Sequence, residues 1–459
     1  MALEVKSVNL LGMPVAYACA VKAGPWVFLT GHEAFDWETG TVDASVAGPA
    51  GFPAYGSRHP SRREADFVLQ RLTALLREYG TDLAHAVRLD QYYPNPRAVA
   101  AYHLSRHENF RDYIPPSTSV VMERLFDAGS TISTSLIAVT PEAGRQIRKV
   151  HPPGVASAPT SGFVPAVVCD EFVFVAGQMA HNPGTGLDAR AVVPDYAAWA
   201  GIPIRRQTEF LIEHKLKPAL EAAGSSLAQS VKAQVYLADI ADAPDCLDVW
   251  NRYYAGIPCA VTVVPTKSFA TAGGIIEINL IALTDDAGRK KEVIAADIPA
   301  MAAQGPHIKV GEFLLPSGLM AIASDGHIAG HDLFAALCRA VACRFRPGQG
   351  GLRPCRSAVP GSRDEHGPAA AGAIFHRRHR RVFGGRDGLG GTLRQASASL
   401  CLRPDADPDA GARLCADRRL LDLDRGMRSK RRRRSGWAGC EAISASAATF
   451  LKLAVEKTR

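Results

Sequence analysis

Apolar residues fall at helical spacing in two long stretches of the chain. ADFVLQRLTALLREYG (65–80) and TEFLIEHKLKPALEAAG (208–224) place them every third or fourth position and stop at Gly80 and Gly224. That is the pattern of an amphipathic helix closed by glycine. An alternating strand follows each helix, ending in DQYY and QVYL. A second helix is expected around Ala98–Asp112 and around Ala243–Ala255, and two closing strands after each: STSVVMERLF with TISTSLIAVT, and AVTVVPTKSF with GIIEINLIALT. Upstream stand Trp26-Val-Phe-Leu-Thr-Gly31 with HEAFDWETG, and Phe172-Val-Phe-Val-Ala-Gly177 with QMAHNPGTG. A third opening, Phe313-Leu-Leu-Pro-Ser-Gly318 with LMAIASDG, has the same form. Each is a short apolar strand, a glycine and a polar turn ending in glycine, which reads as the first hairpin of an antiparallel unit.

The period is about 144 residues, and 65–93 matches 208–237 when one inserted residue is allowed. Two unrelated domains would rarely agree over six elements at a constant offset, so the first 330 residues read as duplicated. The fold class is α+β, with units of order β-β-α-β-α-β-β and both helices on one face of a mixed sheet. The expected domains are 1–148 and 149–290, then the start of a third unit at 305–330, then an arginine-rich tail at 331–459.

Several motifs sharpen this reading: FVAGQ at Phe174–Gln178, AAGSSLAQSVKAQVYLAD at 222–239, Ile257-Pro258, and Ile276-Glu277-Ile278 before Leu-Ile-Ala. With these motifs the order resembles the Rid family (reactive intermediate deaminase, also called YjgF or L-PSP), whose fold is chorismate-mutase-like. The match is strong over 165–285, fair over 20–140 and limited to one hairpin over 306–330. The resemblance implies sheets that pack as a trimer around a central barrel, with ligand clefts at the seams. It also implies hydrolysis of imines and enamines to ketones and ammonia, although some members only bind ligands or have reported nuclease activity.

The family chemistry rests on two side chains. An arginine two residues after the Ile-Pro proline clamps the substrate carboxylate through its planar fork. A glutamate in the last strand handles the attacking water. In the second unit the arginine position holds Ala260, with Cys259 before it, and the glutamate is kept as Glu277. In the first unit, aligning Ile114-Pro115 with Ile257-Pro258 puts Ser117 at the arginine position and Ser133 at the glutamate position. The third unit breaks off before either motif. Glu277 is therefore the candidate catalytic carboxylate. His32, beside Glu33 where the second unit has Gln178, is a candidate acid/base, since histidine titrates near neutral pH. Ala260, Cys259, Ser117, Ser133, Thr30 and Gln178 are the candidate substrate-binding residues. The bland readings stay open: Glu277 as a paired interface carboxylate, His32 as a solvated turn residue, Cys259 as a small packed side chain.

Two function classes follow. One is a Rid-like imine or enamine hydrolase, a deaminase acting on a small C–N compound with water. The other is a non-catalytic small-ligand-binding or scaffold protein that keeps the fold without the arginine. The expected partners are a small molecule and other Rid-like units.

Charge changes the picture only at the end of the chain. The net charge of +8 hides a net −6 over residues 1–330 and +14 over 331–459, where 23 arginines and six of the ten cysteines fall. FHRRHRR and KRRRR would suit nucleic acid, but aromatics for base stacking are scattered there, and no specific nucleic-acid partner is expected. The break near His331 reads as a shifted reading frame, with a genuine disordered basic tail or a folded domain as the alternatives. No HxH, HExxH or CxxC pattern supports a metal, no glycine-rich phosphate loop supports a nucleotide, and no cofactor is expected. No apolar run of membrane-spanning length and no secretory pattern are seen, so a cytoplasmic setting is the expectation.

Overall fold

The computed structural model describes residues 3–322, apart from 14, 48–58, 143–144, 156, 158–159, 183, 195, 197–198, 200 and 296–302. The tail expected at 331–459 lies outside the described residues.

The first sheet has six strands: β1 (Leu3–Asn9), β2 (Ala16–Ala23), β3 (Trp26–His32), β4 (Ala86–Tyr93), β5 (Ser117–Val121) and β6 (Ser133–Val139), in the order β1-β2-β3-β6-β4-β5. The second also has six: β7 (Arg148–Val150), β8 (Ala166–Cys169), β9 (Phe172–Met179), β12 (Ser230–Leu237), β13 (Ala260–Pro265) and β14 (Ile276–Leu283). Between them in sequence lies a minor hairpin of β10 (His181–Asn182) and β11 (Gly186–Leu187). The second sheet runs β7-β8-β9-β14-β12-β13, the same order strand for strand. In each, only the last pair, β4 with β5 and β12 with β13, is parallel. A three-stranded sheet follows, of β15 (Lys291–Ile294), β16 (His307–Val310) and β17 (Phe313–Leu315).

The opening hairpin is not where the glycine-terminated turn suggested. β3 pairs backwards with β2 through the two residues Gly24 and Pro25, and β9 pairs backwards with β8. Only the two-residue strands β10 and β11 use the turn after Gly177. Strands β1, β7 and β15 precede these hairpins and add an edge to each sheet. The unit therefore has one strand more than β-β-α-β-α-β-β, and the third sheet begins at Lys291, ahead of residue 305.

After the four-residue turn α1 (Ala44–Ala47), helix α2 (Pro60–Glu78) starts where His59 accepts the Ser61 N–H at 3.2 Å, with Pro60 supplying a helix-ready φ. It ends at Gly80, whose φ of +76° is the left-handed closure. Its buried stripe of Ala65, Val68, Leu69, Leu72 and Leu76 packs with α3 (Arg97–Phe110) against Val27, Leu29, Leu89, Tyr93 and Leu136. Both helices thus cover one face of the first sheet. In the second unit α4 (Ile202–Leu211) continues through a π turn, Ile212–Leu216, into α5 (Lys217–Ala222). The π turn sits just before Pro218, which has no N–H for an α-helical bond. It absorbs the single residue by which 208–237 exceeds 65–93. Helix α6 (Ala243–Tyr253) completes that layer.

The opposite sheet faces turn toward one another. Trp26, Phe28, Phe172, Phe174, Ile281, Leu283, Ile308, Val310 and Leu315 form a shared core drawn from all three sheets. At its centre Trp26, Phe172 and Phe313, the first residues of β3, β9 and β17, meet edge to face. Their ring centroids are 5.5 Å (Trp26–Phe172), 5.9 Å (Phe172–Phe313) and 6.3 Å (Trp26–Phe313) apart. Such contacts suit the quadrupoles of aromatic rings.

Candidate functional site

The seam between the first and second sheets carries the densest buried chemistry. Along β4 the inward positions are Arg88, Asp90 and Tyr92; along β12 they are Lys232, Gln234 and Tyr236. Arg88 pairs with Asp90 at 2.9 Å and donates to Gln234 Oε1. Asn279 on β14 donates to the Thr118 hydroxyl on β5 at 2.8 Å and to Gln234 at 3.2 Å. Glu277, two residues before Asn279, shares this inward face and is only 5% exposed. Burial pushes its carboxyl up to about 8; the nearby Ser119 N–H of β5 favours its ionised form, and the Asp90 charge opposes it. Gly177 on β9 makes room for it, because a Cβ there would overlap the Glu277 carboxyl and stand 3.0 Å from Thr118 Oγ1. Glu277 is thus a carboxyl of the second sheet set against the edge strand of the first.

Comparison with known proteins gives the family. A family model described as Endoribonuclease L-PSP matches residues 154–284. A RutC family protein of Pyrococcus abyssi is 33% identical over 99 residues, which cover 22% of this chain and 68% of that protein. The chain belongs to the Rid family. A RutC family protein of Pyrococcus horikoshii is 31% identical over 22% of this chain and 69% of its own. Among solved structures, yeast Mmf1 is 21% identical over 30% of this chain and all of its own, with a TM-score of 0.26. A member of the YjgF/YER057c/UK114 family from Mycobacterium tuberculosis is 23% identical over 31% of this chain and all of its own, with a TM-score of 0.24.

In this Rid protein the candidate residues divide among three places. Glu277 and Gln178 lie on neighbouring strands, and Gln178 Nε2 turns to the Ala176 carbonyl at 3.4 Å. Ala260 and Cys259 lie at the other edge of the second sheet, against the third. Ala260 is buried in the shared core, and the Cys259 thiol, 3% exposed, is pushed up to about 12 by burial. A thiol so protonated is a packed side chain rather than a nucleophile. Thr30, His32 and Ser133 lie together in the first sheet. Thr30 donates to the Ala18 carbonyl at 2.5 Å, and His32 Nε2 meets the Cys19 carbonyl at 2.9 Å. Burial lowers His32 to about 4, so its ring is neutral at pH 7 and is not a turn residue exchanging protons with solvent.

Two register facts bear on the alignment. Ser133 opposes Tyr92 as Glu277 opposes Tyr236, so those two positions correspond. Ser117, however, opposes Leu89, while Ala260 opposes Lys232 and Val261 opposes Ala233. Leu89 corresponds to Ala233, so Ser117 takes the place of Val261, and Pro116 that of Ala260. One residue of slip turns a side chain to the other face. Ser117 accordingly faces α3, where it contacts Arg106, and not the shared core.

Sequence reasoning passed over Arg106, Ser119, Asn279 and Lys232. Lys232 is fully buried, donates to Thr262 Oγ1 at 2.5 Å and to the Pro316 carbonyl at 2.7 Å, and is lowered by burial to about 7. The signal available was Arg88 and Asp90 at alternate positions of a largely apolar strand. Among the described residues no group of three or more His, Cys, Asp or Glu side chains is arranged to hold a metal ion, and no helix is long and apolar enough to cross a membrane.

Proposed function

We propose that this Rid-family chain hydrolyses an imine or enamine of a small C–N compound: water adds to the C=N carbon, and the carbonyl product and ammonia leave. The observation that carries this reading is Glu277, a carboxyl buried at the seam of two sheets and held at about 8, where it takes up and returns a proton near neutral pH. Thr118 and the Ser119 N–H of the neighbouring sheet border it. The two complete units span 1–148 and 149–290, a third begins before β16, and the three form a pseudo-trimer. The identical strand order of the two six-stranded sheets and the Trp26–Phe172–Phe313 cluster support that organisation. A cytoplasmic, small-molecule setting goes with this reading.

A second reading has its own support. Ala260 is packed in the shared core, and Glu277 is nearly closed from solvent, which suits a binding or scaffold role. Ammonia release from freshly generated imines, carboxylated and neutral, separates the two. Turnover by the wild type that disappears in Glu277→Gln supports hydrolysis. No turnover of any imine leaves the binding role.

A further inference from the structure

Helix α3 places an arginine where its buried stripe calls for an apolar residue. Ala98, Tyr102, Arg106 and Phe110 recur every fourth position, and Arg106 is 0% exposed. Its Nη1 donates to Gln91 Oε1 and to Ser117 Oγ, each at 3.2 Å, and its Nη2 to the Ser161 carbonyl. Nε has no partner, and among the described residues no carboxylate pairs with this guanidinium. Two tyrosine hydroxyls stand near the guanidinium, Tyr93 and Tyr102, with ring centroids 5.8 Å apart. Tyr93 neighbours Ser119 and Tyr102 neighbours Thr134, and the Tyr93, Tyr102 and Thr134 hydroxyls are fully buried without a hydrogen bond of ordinary geometry. A buried cation facing neutral acceptors only, amid several unused donors, is costly unless an anion completes it.

We propose that Arg106, Tyr93, Tyr102 and Thr134 form a binding site for a small carboxylate between α3 and the first sheet. One carboxylate oxygen takes the Arg106 Nε–H and the other a tyrosine hydroxyl, a charge-assisted pairing matched to a planar anion. The site is separate from Glu277. Ser119 marks the division: its hydroxyl donates to Gln91 at 2.8 Å on the Arg106 side, while its N–H serves Glu277 at the strand edge. The Ser161 carbonyl that accepts from Nη2 belongs to the partly exposed segment Thr160–Gly162.

The test is calorimetric titration of the full chain with sodium acetate at fixed ionic strength, with acetamide and chloride as controls. Saturable binding of acetate alone is expected. Arg106→Gln should weaken it roughly tenfold to a hundredfold, Tyr93→Phe and Tyr102→Phe should weaken it less, and Glu277→Gln should leave it unchanged. Acetate binding no stronger than acetamide overturns the proposal, as does an unchanged Kd in folded Arg106→Gln. If Arg106→Gln does not fold, an unchanged Kd in both tyrosine variants overturns it. Loss of binding in Glu277→Gln would move the anion to the seam and overturn it as well.

Discussion

The hydroxyls of Tyr92 and Tyr236 lie 3.1 Å apart. Each tyrosine holds the same place in its own sheet, opposite Ser133 and opposite Glu277, and the two meet across the seam. Tyr236 also reaches Gln234 Oε1 at 3.4 Å, the atom that receives Arg88 and Asn279. The seam is therefore fixed by a polar network in register with itself, which an apolar interface would not enforce as strictly.

Tyr92→Phe and Tyr236→Phe should each destabilise the protein by about 1 kcal/mol, with a coupling of about 0.5–1.5 kcal/mol in the double-mutant cycle. Chemical denaturation of the four proteins measures it. Strictly additive effects would show that the two hydroxyls do not interact.

Gly177→Ala should cost about 1–3 kcal/mol, because the new methyl overlaps the Glu277 carboxyl. Gly31→Ala should cost less, since its methyl would meet the Ser133 hydroxyl at 3.3 Å. Equal melting temperatures for the two variants would contradict the placement of Glu277.

Glu277→Gln should abolish ammonia release while keeping the fold, because it preserves shape and removes the base. Wild-type activity should rise with pH through about 8 as the carboxyl ionises. Activity independent of pH between 6 and 9, to within about twofold, would mean that another group handles the water. Carboxylated imines should be poorer substrates than neutral ones, since the first-sheet position equivalent to Ala260, just before the strand that borders Glu277, is Pro116 and offers no fork for the carboxylate.

Stability should change with pH in two opposed ways. Glu33 and Glu277 are both held by burial at about 8, above the ordinary 4.5. Folded, they keep their protons up to about pH 8, whereas the unfolded chain releases them near 4.5. Their contribution is thus present below 4.5 and lost as pH rises to 8. Lys232, lowered to about 7 from 10.5, adds stability as pH rises from 7 towards 10.5. Melting temperatures across pH 4–10 check this. Glu33→Gln and Glu277→Gln should flatten the acid-side slope, and Lys232→Met should remove the alkaline gain.

Much of the fold was legible because periodicity reports burial directly. The helices at 65–80 and 208–224, the strands DQYY and QVYL, and the closing strands all stand within a few residues of where apolar spacing puts them. The hairpin was misplaced because both glycine-rich turns around β3 satisfy turn chemistry, and only cross-strand pairing chooses between them. Glu277 was legible as a carboxyl in an apolar strand. Arg106 was not, since a polar residue on a helical stripe looks the same in sequence whether it is solvated or buried.

By itself the sequence determined the element types and marked Glu277 as a carboxyl in an apolar strand, because these depend on local spacing and residue chemistry. Tertiary structure alone decided which face Ser117 takes, since the run Pro115-Pro116 permits two alignments and the ladder Leu89–Ser117 admits one. It also decided that Trp26, Phe172 and Phe313, far apart in the chain, share one core. Contacts between sheets depend on how twisted surfaces fit in three dimensions, and no local pattern encodes that fit.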